Sequence, residues 1–173
     1  FNLEKLDWMN GYYIRELSHE RLAATLLEFW ETYPTSEFSK LPDRSHLLRI
    51  VPLIQERLKT LRDAAPLISF FFNPTIEYDP IDLVQKQMDA SETKLALQRT
   101  LSKFETVRSF DAGSLEKMLR DLSSELGIKP GQLFGTLRIA TTGLRVSPPL
   151  FETLEVLGRE RSVTAVREAA SLL

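Results

Sequence analysis

The chain has 173 residues, 43% hydrophobic and 27% charged, an ordinary globular balance that suits one domain, or two small ones, with a real core. A net charge of −2 argues against a uniformly basic nucleic-acid binder, and zero Cys excludes disulfides and Cys-ligated zinc while fitting a reducing compartment. No apolar run approaches the roughly 20 residues of a membrane span, and the opening FNLEKLDWMN, with no initiator Met and no secretory or transit character, suggests a fragment of something longer.

Only 7 Gly and a high content of Leu, Glu, Lys, Arg and Ala favour helix. Ser18 is placed to cap HERLAATLLEFWETY, where Leu22, Leu26, Leu27 and Phe29 form an apolar stripe that Pro34 ends. DRSHLLRI and PLIQERLKTLRDA read as a helical pair broken or kinked at Pro52, because proline lacks the N–H and crowds the preceding turn. In the second member Leu53, Ile54, Leu58 and Leu61 recur at helical spacing, and Arg57 flanks that face. PLISFFF is a short apolar segment closed by Asn73-Pro74, and Asp79-Pro80 is a cap followed by proline at the first helical position.

Leu95, Leu101, Phe104 and Val107 give the next helix its face, and FDAG at 110–113 is the clearest break. Beyond it Ser114 is expected to cap a helix bearing Leu115, Met118, Leu119, Leu122 and Leu126, with Gly127 as a left-handed stop. Pro130 starts a helix through QLFGTLRIATT that Gly143 ends; Ser147 then caps, Pro148 takes the first helical position, Gly158 stops, and a last helix reaches the C-terminus. With no convincing strand, repeat or low-complexity tract, the expected fold is all-α, two stacked helical lobes divided near residue 110.

Positive charge is concentrated. Residues 44–62 hold Arg44, Arg49, Arg57, Lys59 and Arg62 against Glu56 alone, and residues 129–145 hold Lys129, Arg138 and Arg145 with no acid. Two short basic windows in an otherwise acidic chain suit a small polyanion footprint. Catalytic chemistry is poorly represented. No glycine-rich phosphate loop follows a strand, no nucleophile has a His partner, and His19 and His46 sit in no ligand-like spacing, so no metal is assigned. A binding module is favoured over a complete active site.

Four blocks in order, KLDWMNGYYIREL (5–17), PLIQERLKTL (52–61), GIKPGQLFGTLRIATTG (127–143) and PPLFETLEVLGRERS (148–162), resemble the C-terminal part of bacterial-type glutamyl-tRNA synthetases, a class I aminoacyl-tRNA synthetase family. The resemblance runs along nearly the whole chain and is weakest over 73–112. It implies that 1–17 is the tail of a stem-contact, connecting segment, and that 18–110 and 111–173 are two subdomains of a helical anticodon-binding cage. The family's ATP-binding signature sequences do not occur in this chain. The resemblance therefore implies an N-terminal catalytic domain upstream that uses ATP with Mg, and a fragment that recognises tRNA, holds no cofactor and does not itself aminoacylate.

The resemblance also implies roles. Arg57 matches the family arginine that reads the third anticodon base, a cytosine; a guanidinium fork complements the O2 and N3 acceptors of an unstacked cytosine. Arginine here also resembles the members that charge only glutamate tRNA. The other reading leaves Arg57 snorkelling over Leu53 and Leu58 or paired with Glu56. Arg138 matches an arginine that contacts the first anticodon base, or is a helix-surface arginine. Ser147, Pro148 and Leu150 match the segment under the anticodon bases, while Pro149 departs from a glycine seen in some members and removes a backbone donor. The two arginines are expected to converge on one surface.

Lys59, Arg62 and Arg145 are candidates for phosphate contact or are solvated charges. Phe70, Phe71 and Phe72 read as core, Trp8 as an anchor to the catalytic half, Trp30 and Tyr33 as internal packing, and Arg159 and Arg161 as decoration of the last helix. The expected partners are the anticodon loop of glutamate tRNA and the chain's own catalytic domain, in a cytoplasmic monomer with no membrane contact. The alternative is a helical protein-interaction domain with incidental basic patches.

Overall fold

The structure, a computed structural model, describes residues 2–173 and is helical, without a strand among those residues. It falls into two units, Phe1–Pro74 and Thr75–Leu173. The division comes at the Asn73-Pro74 closure. The break expected near residue 110 lies inside the second unit, where it separates two successive helices.

In the first unit, α1 (Leu3–Glu16) starts at Asn2, whose Oδ1 accepts from the Lys5 N–H at 3.2 Å. α2 (His19–Thr32) starts at Ser18 as expected, its Oγ accepting from the Arg21 N–H at 3.2 Å. Leu22, Ala23, Leu26 and Trp30 bury one face of α2 against α3 (Arg44–Ile54). Asp43 opens α3 by accepting from the N–H groups of Ser45 (3.0 Å) and His46 (3.1 Å).

Pro52 does not break this helix. It sits in the last turn of α3, where only one ladder bond is lost, and the chain then tightens into a single 3-10 turn, Gln55–Arg57. Leu58 follows in extended conformation, and a second 3-10 turn (Leu61–Asp63), α4 (Ala64–Ile68) and a third 3-10 turn (Ser69–Phe71) complete the unit. PLIQERLKTL is therefore not one amphipathic helix. Phe70 and Phe71 are core, and Trp30 is 2% exposed, but Tyr33 is 59% exposed, leaning on Phe29 at the open end of α2.

In the second unit, Asp79 and Pro80 open a 3-10 turn (Pro80–Leu83), with Asp79 Oδ1 accepting from the Ile81 N–H at 3.1 Å. α5 (Ala90–Thr106) begins with a reciprocal box, Glu92 N–H to Asp89 at 2.8 Å and Asp89 N–H to Glu92 at 3.0 Å. Leu95, expected on its buried face, is 46% exposed; Phe104 is buried there as expected, joined by Thr93, Ala96, Leu97 and Thr100.

α6 (Ala112–Glu125) is capped by Asp111, not by Ser114. Asp111 accepts from both the N–H and the hydroxyl of Ser114 at 2.8 Å, so the carboxylate outcompetes the serine for the cap and draws it into the first turn. α7 (Pro130–Thr142) starts at Pro130 and stops at Gly143, whose φ of 71° is left-handed. α8 (Leu150–Leu157) starts at Pro149, two residues later than expected, and α9 is Arg159–Ser171.

α9 packs on α5 and α7, and α6 on α7 and α8, around a core that includes Leu83, Leu97, Phe104, Leu119, Leu137, Leu154 and Val166. Each such fully buried side chain contributes about 1.5–3 kcal/mol. Arg159 is not mere decoration. It donates to the carbonyls of Phe104 and Val107 at the C-terminus of α5 and lies over the Phe110 ring, 5.3 Å from its centroid. No helix of the described residues is long and apolar enough to cross a membrane.

Candidate nucleic-acid interface

Arg57 ends the 3-10 turn that follows α3 and is exposed, while its neighbour Leu58 is fully buried. The change from helix to extended chain at Leu58 turns the backbone so that the leucine enters the core and the arginine leaves it. Among the described residues the Arg57 guanidinium has neither an ion pair nor a hydrogen bond, and it does not pair with Glu56.

The turn itself is held firmly. Gln55 is 7% exposed and its Nε2 donates to the carbonyls of Ile14 (2.9 Å), Leu17 (2.8 Å) and Arg15 (3.3 Å), at and just beyond the C-terminus of α1. Downstream, Asp63 Oδ2 accepts from the N–H groups of Lys59 (3.0 Å) and Thr60 (2.8 Å). Gly11 of α1 lies against the same stretch: a Cβ there would stand 3.3 Å from the Leu58 carbonyl oxygen. A flexible, permanently charged side chain thus projects from a backbone fixed on both sides.

Lys59 and Arg62 are exposed with no side-chain partner among the described residues. Arg62 lines a cleft with Phe29, Trp30, Tyr33 and Ala65. All of these groups belong to the first unit, as Arg57 does.

The second unit carries the other expected residues. Arg138 is half-exposed in the last two turns of α7, its guanidinium without a partner among the described residues. Arg145 is exposed, but its guanidinium pairs with the Asp82 carboxylate. Ser147 is 4% exposed and its hydroxyl donates to the Pro148 carbonyl at 2.9 Å, so it does not cap α8. Pro148 and Leu150 are also buried, Leu150 at 4%. The exposed side chains of that turn are Val146, at 73%, and Pro149.

Among the described residues no group of three or more His, Cys, Asp and Glu could hold a metal ion. His19 is exposed at the start of α2, and His46 lies edge-on to Phe71 and Phe72. Sequence reading passed over Gln55 and Asp63, which look like ordinary helix-surface polar residues. Their only signal is position, two residues before and six after Arg57.

The fold and site define an all-α module in which Arg57 projects from an anchored turn and Arg138 from a helix, neither guanidinium having a partner among the described residues. The family profile described as the anticodon binding domain matches residues 21–170, and the chain belongs to that family. It is 44% identical over 173 residues to a glutamate–tRNA ligase of Dehalococcoides mccartyi and 45% identical over 174 residues to one of Roseiflexus castenholzii, covering 100% of this chain and 36% and 34% of those proteins. The chain thus spans about a third of the length of the curated relatives it matches. A solved glutamate tRNA ligase of Elizabethkingia meningosepticum, in complex with its amino acid, shares the fold with a TM-score of 0.80 at 20% identity, over 99% of this chain and 32% of that one.

Proposed function

We propose that this chain is the tRNA-recognising part of a glutamate–tRNA ligase and reads the anticodon loop of glutamate tRNA. The observation that carries the reading is Arg57: an exposed, unpaired guanidinium on a turn fixed by Gln55 and Asp63, in a chain that aligns over its whole length with glutamate–tRNA ligases. Its planar donors face an unstacked cytosine at the third anticodon position, and its anchored backbone limits the entropy lost on binding. Arg138 serves the first anticodon base on the same loop. Ser147, Pro148 and Leu150 shape the turn from within, and Val146 and Pro149 offer its apolar surface to the bases. Lys59 and Arg62 take phosphates.

The stretch 1–17 continues to a catalytic domain that binds ATP with Mg and forms the glutamyl adenylate. The exposed row Trp8, Met9, Tyr12 and Tyr13 on α1 supports a contact of that helix with the catalytic domain. The whole acts as a cytoplasmic monomer in translation, and this chain alone binds tRNA without charging it.

A binding titration against a synthetic hairpin bearing the glutamate-tRNA anticodon loop tests the reading. Affinity falls steeply as salt rises, by the counterions that each phosphate contact releases. Binding that ignores both salt and anticodon sequence overturns it.

A further inference from the structure

The base-reading arginine does not choose its own direction. Arg57 follows Gln55 by two residues in a one-turn 3-10 helix, too short to hold its geometry through its own hydrogen bonds. Its orientation comes from outside the turn. The three acceptors of Gln55 are carbonyls of residues 14, 15 and 17, where α1 ends and its last carbonyls run out of donors further along the helix, the Ile14 carbonyl accepting also from the Leu17 N–H at 3.3 Å. Leu17, the C-cap of α1, is already extended, so one amide closes a helix end with which it shares no local sequence. Gly11, one turn earlier on α1, lets that helix approach the backbone of Leu58 and Lys59 on the far side of Arg57.

We infer that Gln55 is the positioning residue for Arg57: its amide ties the arginine's turn to the end of α1, and this tie sets the discrimination at the base that Arg57 reads. The inference rests on the proposed role of Arg57. Gln55 touches no RNA. Its side chain is buried and spent on backbone carbonyls, so it acts only through the direction it gives to its neighbour. A buried amide is suited to this. Its two donors need carbonyls at fixed places, and an apolar side chain of the same length fills the space without fixing the turn.

The test uses two RNA hairpins with the glutamate-tRNA anticodon loop, one with cytosine at the third anticodon position and one with another base there. Affinities are measured for the parent, Gln55→Leu, Arg57→Gln and the double variant, with a melting curve for each. Gln55→Met, closer in length, replaces Gln55→Leu where the latter does not fold. Leu26→Ala, a core truncation in α2, serves as the destabilised control. Gln55→Leu lowers the ratio of the two affinities about tenfold, most of what a base-edge contact supplies, while affinity for the altered hairpin stays near that of the parent. In the Arg57→Gln background the Gln55 substitution adds no further loss of discrimination. Leu26→Ala keeps the parent ratio.

Retention of the ratio by Gln55→Leu, with Arg57→Gln losing it, overturns the role of Gln55 and leaves Arg57 as the reader. Equal loss in Leu26→Ala overturns it as well, since general loosening then explains the effect. Failure of the parent to prefer cytosine, or of Arg57→Gln to abolish the preference, overturns the reading of Arg57 and this inference together.

Discussion

Arg145 and Asp82, separated by 63 residues in the chain, are joined by an ion pair within the second unit. The arginine side chain is 77% exposed and the aspartate 23%. At this exposure the pair contributes about 0–1 kcal/mol to stability. For the proposed RNA contact the pair matters in another way, because the carboxylate offsets the one charge that a phosphate would need. Arg145→Ala therefore weakens hairpin binding less than Arg62→Ala, whose guanidinium has no partner among the described residues. Asp82→Asn strengthens binding and steepens its salt dependence. A titration series over ionic strength checks both; equal losses for Arg145→Ala and Arg62→Ala would show that the pair does not shield the arginine.

Gly143 separates the arginine-bearing helix α7 from the turn at 144–149. It combines a φ of 71° with a close approach: a Cβ there would lie 2.9 Å from the Glu77 carbonyl oxygen and 3.0 Å from Ile76 Cγ2. Both effects oppose any side chain. Gly143→Ala is expected to cost about 1–3 kcal/mol, the scale of strained backbone, and urea unfolding measures it. Gly131, near which a Cβ would meet nothing within 4 Å, supplies the contrast. Gly131→Ala in the first turn of α7 leaves stability unchanged or raises it by up to about 1 kcal/mol.

Asp111 holds the start of α6 through a charged cap. Bonds from the Ser109 hydroxyl, the Ser114 N–H and the Ser114 hydroxyl favour the carboxylate and lower its pKa from an ordinary 3.8 to about 2. A carboxyl whose pKa is depressed on folding stabilises above the unfolded value and loses that contribution as pH falls through the folded value. The Asp111→Ala variant should melt below the parent at pH 7. The gap should hold down to about pH 4 and narrow between pH 4 and pH 2. A gap constant across that range would mean that the carboxylate's charge contributes nothing to the cap.

Much of this architecture is legible in sequence because its determinants are local. Ser18, the Asp79-Pro80 pair, Pro130, Gly127 and Gly143 stand where their side-chain or backbone chemistry places them. The departures arise where two local signals compete or where tertiary contacts decide. Asp111 and Ser114 are both competent caps, and the carboxylate prevails. Pro52 reads as a breaker, yet the helix continues two residues past it, to Ile54, before tightening into the 3-10 turn. The apolar spacing through Leu58 and Leu61 imitates a helix face, although Leu58 reaches the core from extended chain.

For the candidate site, the basic windows and the resemblance bring Arg57 and Arg138 forward. Neither reveals that Ser147 lies buried with its hydroxyl on Pro148, that Arg145 is already paired, or that Gln55 reaches back 41 residues to Ile14. Long-range hydrogen bonds of this kind leave no periodicity in the chain.

The most direct measurement compares the parent and Arg57→Gln for binding to glutamate-tRNA hairpins that differ only in the third anticodon base. The parent should favour cytosine by about 1–3 kcal/mol, and the variant should lose that preference while binding the altered hairpin as the parent does. A preference for cytosine that survives unchanged in Arg57→Gln would contradict base reading by this arginine.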